Sequence, residues 1–141
     1  MSVLADLFKQ VDEGKSGAFF GKLILEWRGP SDWLFLQQAD PLSFLRWTGE
    51  QILPESIPTD LGSIPRPFWN LPGMDPEYYA KAYVIHDYFF RTHCKRIGVP
   101  IDFDEANLIL AEMLVAMNCP RERVTAIYEA VELGGRAHWE S

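Results

Sequence analysis

The residues of this 141-residue chain with the clearest capacity for chemistry are His86 and Asp87, an imidazole and a carboxylate set inside the apolar and aromatic run from Ala82 to Phe90. In a helix, Ala82, His86 and Phe90 share one face at four-residue spacing, with Tyr83 and Asp87 beside them. An imidazole on such a face is partly desolvated. Burial and hydrogen bonding then move its pKa across the range that a general base requires. Asp87 has two uses, as a ligand for a cation or as the acidic half of an i,i+4 ion pair with Arg91. The same pair also reads as a polar element of a core, with no chemistry at all.

A second set of candidates lies in Ile57-Pro58-Thr59-Asp60-Leu61-Gly62-Ser63-Ile64-Pro65-Arg66-Pro67-Phe68-Trp69. Its three prolines oppose a helix or a central strand, so it reads as a shaped loop. Thr59, Asp60 and Ser63 either satisfy local amides and stiffen the loop or, with Arg66, face a site. Asp60 would then join His86 and Asp87, while Ser63 and Arg66 would hold substrate.

These candidates need a scaffold, and the length and the 48% hydrophobic content suit one domain over residues 1–141 with one core. Val3, Leu4, Leu7, Phe8 and Val11 predict a short amphipathic helix within residues 1–14, either packed on its own domain or docked as an arm on a neighbour. Residues 19–54 predict a small antiparallel sheet, with strands at Phe19–Trp27, Asp32–Gln38, Ser43–Trp47 and Gln51–Leu53. The Pro-rich loop fills 55–73, and three helices occupy 76–134. The fold class is therefore α+β, an N-terminal sheet followed by a three-helix half.

The first of the three helices starts with Asp75 as cap and Pro76, and ends near Thr92. The second opens on a capping box, Asp102 with Glu105, and is apolar nearly all round from Phe103 to Met117. Asn107 interrupts that apolar surface. A buried amide without a partner costs about 1–3 kcal/mol, and His86 is the expected partner. The third runs from Cys119-Pro120 to a stop at Gly134-Gly135, with a peripheral tail through Trp139.

Thirteen Lys and Arg against 20 Asp and Glu leave a net charge of -7, with no basic cluster longer than Lys95-Arg96, which argues against a nucleic-acid surface. Trp27, Trp33, Trp47, Trp69 and Trp139 supply large aromatic area for cores or interfaces. Cys94 and Cys119 lack a metal or disulfide spacing and read as reduced and buried. The start has no basic region leading into an apolar one, and no apolar run approaches ~20 residues, so a transmembrane segment is not expected and synthesis in the cytoplasm is.

Ile57 to Arg66, His86-Asp87-Tyr88-Phe89-Phe90, Glu105-Ala106-Asn107 and Gly134-Gly135 together resemble the domain-of-unknown-function 1353 family, over roughly residues 20 to 136. The string T-D-x-(A or G)-S-I-P-R carries most of that specificity. The resemblance implies a tailed phage or prophage, hence a protein made in the host bacterial cytoplasm and, as one option, incorporated in the virion.

The family's HD-x-x-Y string, with an alanine-aspartate pair on the next helix, is similar to the catalytic helices of phospholipase A2 enzymes. Carried over, His86 is the base that activates water, Asp87 binds a divalent cation (calcium or zinc), and the residue at 107 orients the imidazole. Here Phe90 stands in place of the tyrosine and Asn107 in place of the aspartate. An amide orients an imidazole but does not balance an imidazolium. Asp104, one turn earlier, is an alternative.

Three functions fit these residues. One is a virion component of tail, neck or baseplate, partnered by other phage structural proteins, with a homo-oligomer left open and with a degenerate His-Asp site. The second is a metal-assisted hydrolase of lipid or cell-envelope substrates. The third is a host-directed binding protein.

Overall fold

The computed structural model describes residues 2–30, 32–59 and 79–140. Apolar residues at helical spacing form α1 (Val3–Asp12), whose first turn is closed by Ser2 Oγ accepting from the Ala5 amide at 3.0 Å. Its buried side chains, Leu4 and Leu7, join the core, and the helix packs on α3 (Phe103–Ala116). Residues 3–12 are thus part of their own domain's packing and not a free arm.

Among the described residues the N-terminal half holds two small antiparallel sheets where the sequence predicts one. The predicted strand 19–27 divides into β1 (Ala18–Phe20) and β2 (Ile24–Gly29). Gly21 makes the break: its φ is +79°, and a Cβ there would sit 1.9 Å from the Pro41 carbonyl oxygen. Only glycine permits that combination of backbone angle and close approach. With β3 (Asp32–Leu36), β4 (Ser43–Leu45), β5 (Gln51–Ile52) and β6 (Ile57–Thr59), the strand orders are β1-β4-β5 and β2-β3-β6. Strand β6 lies in the stretch read as loop. Pro58 is compatible with it because β6 pairs with β3 alone among the described residues, so its missing N–H costs no ladder bond on the other side.

Helix α2 (Ala80–Thr92) begins later than predicted, since Tyr79 already has non-helical angles, and Asp75 and Pro76 lie outside the described residues. It stops where predicted. His93 takes a left-handed conformation at φ 56° and its amide donates to the Phe89 carbonyl at 2.8 Å. A short hairpin that the sequence reading missed follows, β7 (Cys94–Arg96) and β8 (Val99–Pro100), turned at Gly98.

Helix α3 is the centre of the packing, in contact with α1, α2, β1 and α4 (Arg121–Glu140). Asp102 Oδ1 accepts from the Glu105 amide at 2.8 Å, which is one arm of the expected capping box. Glu105 turns its carboxylate instead to Lys95, 2.7 Å away. Helix α4 does not stop at Gly134-Gly135, because the second glycine is a packing device. A Cβ at Gly135 would lie 3.1 Å from Phe90 Cζ and 3.2 Å from Phe103 Cε1, so a side chain there would press on both rings and the glycine lets the helix pass close to them. The continuation carries Trp139 into the core, stacked on His93 at 4.0 Å and edge-on to Phe90 at 5.0 Å. The tail is not peripheral. Cys119 is buried, Cys94 half-buried, and both are free thiols. Among the described residues the fold is α+β, with N-terminal antiparallel sheets and four helices. Among the described residues no helix is long and apolar enough to cross a membrane.

Candidate functional site

His86 projects from the middle of α2 towards α3, and no part of it reaches solvent. Its Nε2 lies 2.8 Å from Asn107 Oδ1, also fully buried, so the imidazole N–H donates to the amide oxygen. With the proton on Nε2, Nδ1 keeps its lone pair. The face pattern that separates Asn107 from its apolar neighbours was sufficient to foresee this partner. The Phe90 ring packs on the imidazole at 4.9 Å and completes the apolar side of the enclosure.

Burial pushes the His86 pKa down to about 4, and the Asn107 bond opposes that only in part. The imidazole is therefore neutral at pH 7. Among the described residues His86 Nδ1 and Asn107 Nδ2 have no hydrogen-bond partner. Asp104 does not substitute for Asn107. Its side chain is 74% exposed and points to Arg136, 3.3 Å away, on the solvent side of α3.

Asp87 is buried, and its Oδ2 accepts from Arg91 Nε at 2.9 Å, the i,i+4 pair that the spacing suggests. A calcium or zinc ion at Asp87 would compete with that guanidinium. Among the described residues, no three His, Cys, Asp or Glu side chains converge as a metal site. Asp60, Ser63 and Arg66 lie outside the described residues. An open groove of about 540 Å³ runs beside Leu53, Pro54, Glu55, Arg96 and Ile97, and its walls do not include His86 or Asp87.

The structure adds a charged cluster that the sequence reading did not contain. Arg46, from the turn after β4, makes a two-pronged contact with Glu112 of α3, Nε–Oε1 at 2.8 Å and Nη2–Oε2 at 2.7 Å, and its Nη1 donates to Glu50 at 2.7 Å. Lys95 of β7 joins Glu50 at 2.9 Å to Glu105 at 2.7 Å. Burial alone would lower the Arg46 pKa, but the hydrogen bonds and charges of Glu112 and Glu50 hold it above the ordinary guanidinium range. Desolvation likewise opposes the charge on Lys95, and Glu105 and Glu50 outweigh it and raise the pKa. The signal for this cluster was Glu112, a charge within the apolar surface of α3 that has no basic residue three or four positions away. Its partner had to come from another element.

The arrangement thus offers two polar assemblies with different tasks. The ionic one ties the β4–β5 turn and β7 to α3. The His86–Asn107 pair joins α2 to α3 through a single neutral hydrogen bond in a closed environment.

The model of the family described as Protein of unknown function (DUF1353) matches residues 39–131, well over half of the chain. That span includes Arg46, His86, Asp87 and Asn107. No curated protein and no solved structure matches the chain.

Proposed function

This chain belongs to the DUF1353 family, and from that premise we propose that it is a structural or accessory component of a tailed-phage particle, in the tail, neck or baseplate. The observation that carries the reading is the complete enclosure of His86 against a neutral amide. A general base has to meet water or substrate. An imidazole held near pKa 4 inside a core serves instead to fix the register between two helices. Exposed aromatic residues support a docking role: Trp27 is 62% and Phe20 55% exposed, and Trp47, in the turn after β4, is exposed as well. The phage setting comes from the family resemblance, and the acidic charge is compatible with contacts to protein more than to nucleic acid.

The test is quantitative mass spectrometry of gradient-purified particles of the phage that encodes the chain, together with assembly of particles when His86 is replaced by Ala. A particle component is recovered at a fixed copy number, and the variant lowers stability or assembly. Recovery only in the unassembled fraction would overturn the reading.

One observation favours a hydrolase instead, the Nδ1 lone pair of His86 that has no partner among the described residues. Titration calorimetry with calcium and with zinc separates the two readings. Binding by the wild type that is lost in Asp87→Asn favours the hydrolase, whereas absence of binding favours architecture.

A further inference from the structure

Strand β2 ends the β2-β3-β6 sheet. It pairs with β3 along one edge, and no other described element pairs with the opposite edge, where Glu26, Trp27 and Arg28 are all exposed. An unpaired strand edge carries a row of backbone donors and acceptors and recruits another strand unless something prevents it. The charges on β2 determine which strand it can recruit.

Two of the side chains share a face. Glu26 lies opposite Leu34 on β3, and Arg28 reaches Asp32, two residues before Leu34, with Nη2–Oδ1 at 2.9 Å. Residues two apart on a strand face the same way, so Glu26 and Arg28 stand on one face and Trp27 on the other. The register shift between Trp27 and Gly29 makes Arg28 the extra residue of a bulge, so its place on the Glu26 face is given by its contact with Asp32.

We propose that β2 is the contact between two copies of this chain, paired antiparallel about a two-fold axis at Trp27, so that Glu26 of each copy faces Arg28 of the other. Antiparallel pairing brings residues on the same face into opposition. Of the registers this permits, an axis at Glu26 or at Arg28 sets like charges against each other. An axis at Leu25 sets Glu26 against Ile24 and leaves the carboxylate without a basic partner, whereas the axis at Trp27 sets it against Arg28. The chosen register forms two opposite-charge pairs and a cross-strand Trp27 pair, and it joins the two β2-β3-β6 sheets into one of six strands. The Arg28–Asp32 contact is exposed and yields readily to a second carboxylate. Charges that guard the edge against other strands leave this one open. The inference does not depend on where the protein works, so it stands or falls apart from the particle reading.

Sedimentation velocity on the full chain over a concentration series is the test, with circular dichroism to verify the fold of each variant. The wild type should dimerise. Glu26→Arg alone and Arg28→Glu alone each replace two attractive pairs by two repulsive ones, because the axis repeats every contact, and should weaken the dimer roughly tenfold or more. The double variant Glu26→Arg/Arg28→Glu restores both pairs and should recover it, while Trp27→Ala should weaken it independently of charge. A wild type that stays monomeric at its highest soluble concentration overturns the proposal. So does a dimer indifferent to the single reversals, a double variant that fails to recover, or growth beyond a dimer.

Discussion

The enclosed imidazole makes folding stability depend on pH in a way that can be assigned to one residue. In the unfolded chain His86 titrates at its ordinary value of 6.5, and in the folded protein burial holds it at about 4. Between these values the unfolded chain binds the additional proton. Stability from this residue is therefore fully present above about pH 6.5 and is lost as the pH falls through that window to about 4. At about 1.4 kcal/mol per pH unit, the gap corresponds to roughly 3 kcal/mol. His86→Gln removes the titration while retaining an N–H donor for Asn107. Urea unfolding of wild type and variant should be measured from pH 7.5 to pH 4, roughly the span in which the imidazole changes its charge. The other two histidines and all carboxylates are common to both proteins, so the difference in unfolding free energy isolates His86. That difference should fall steadily with decreasing pH, by about 3 kcal/mol in all. A pH-independent difference, or a directly measured His86 pKa near 6.5, would refute the argument from burial and reopen the case for a working base.

Replacing Asn107 by Asp puts a carboxylate beside Nε2 and should raise the His86 pKa by at least about one pH unit, read by NMR titration, since an opposite charge favours the imidazolium. In the ionic cluster, Glu112→Gln alone leaves the Arg46 charge buried without its main partner and should cost about 3–5 kcal/mol in denaturant unfolding, whereas Arg46→Met with Glu112→Leu should recover much of that loss. Trp139→Ala removes a buried ring packed on Phe90, His93 and Phe103 and should destabilise by about 3 kcal/mol, an effect that a peripheral tail would not show. On the same helix, exposed Gly134→Ala should stabilise by about 0.5–1 kcal/mol through helix propensity, while Gly135→Leu should destabilise by about 1–3 kcal/mol through overpacking against Phe90 and Phe103, both read as shifts in Tm.

Features with local causes were legible in the sequence. The spacing of Leu4 and Leu7 sets the buried face of α1, Asp102 caps α3 through an amide three residues away, and the Asp87–Arg91 pair needs only one helical turn. The His86–Asn107 contact crosses between helices, yet it too was legible, because each residue is the polar exception on an apolar face and buried polar groups seek each other. What required the tertiary structure depends on distant neighbours. Gly21 divides a strand because Pro41 passes against it, Gly135 continues a helix because two rings occupy the place of its side chain, and Glu112 is tolerated in a core because Arg46 arrives from a turn far back in the chain. The depth at which His86 is enclosed belongs to this second group. Periodicity places an imidazole on an apolar face, but only the packing of α2 on α3 decides whether water still reaches it, and with water its pKa and the chemistry open to it.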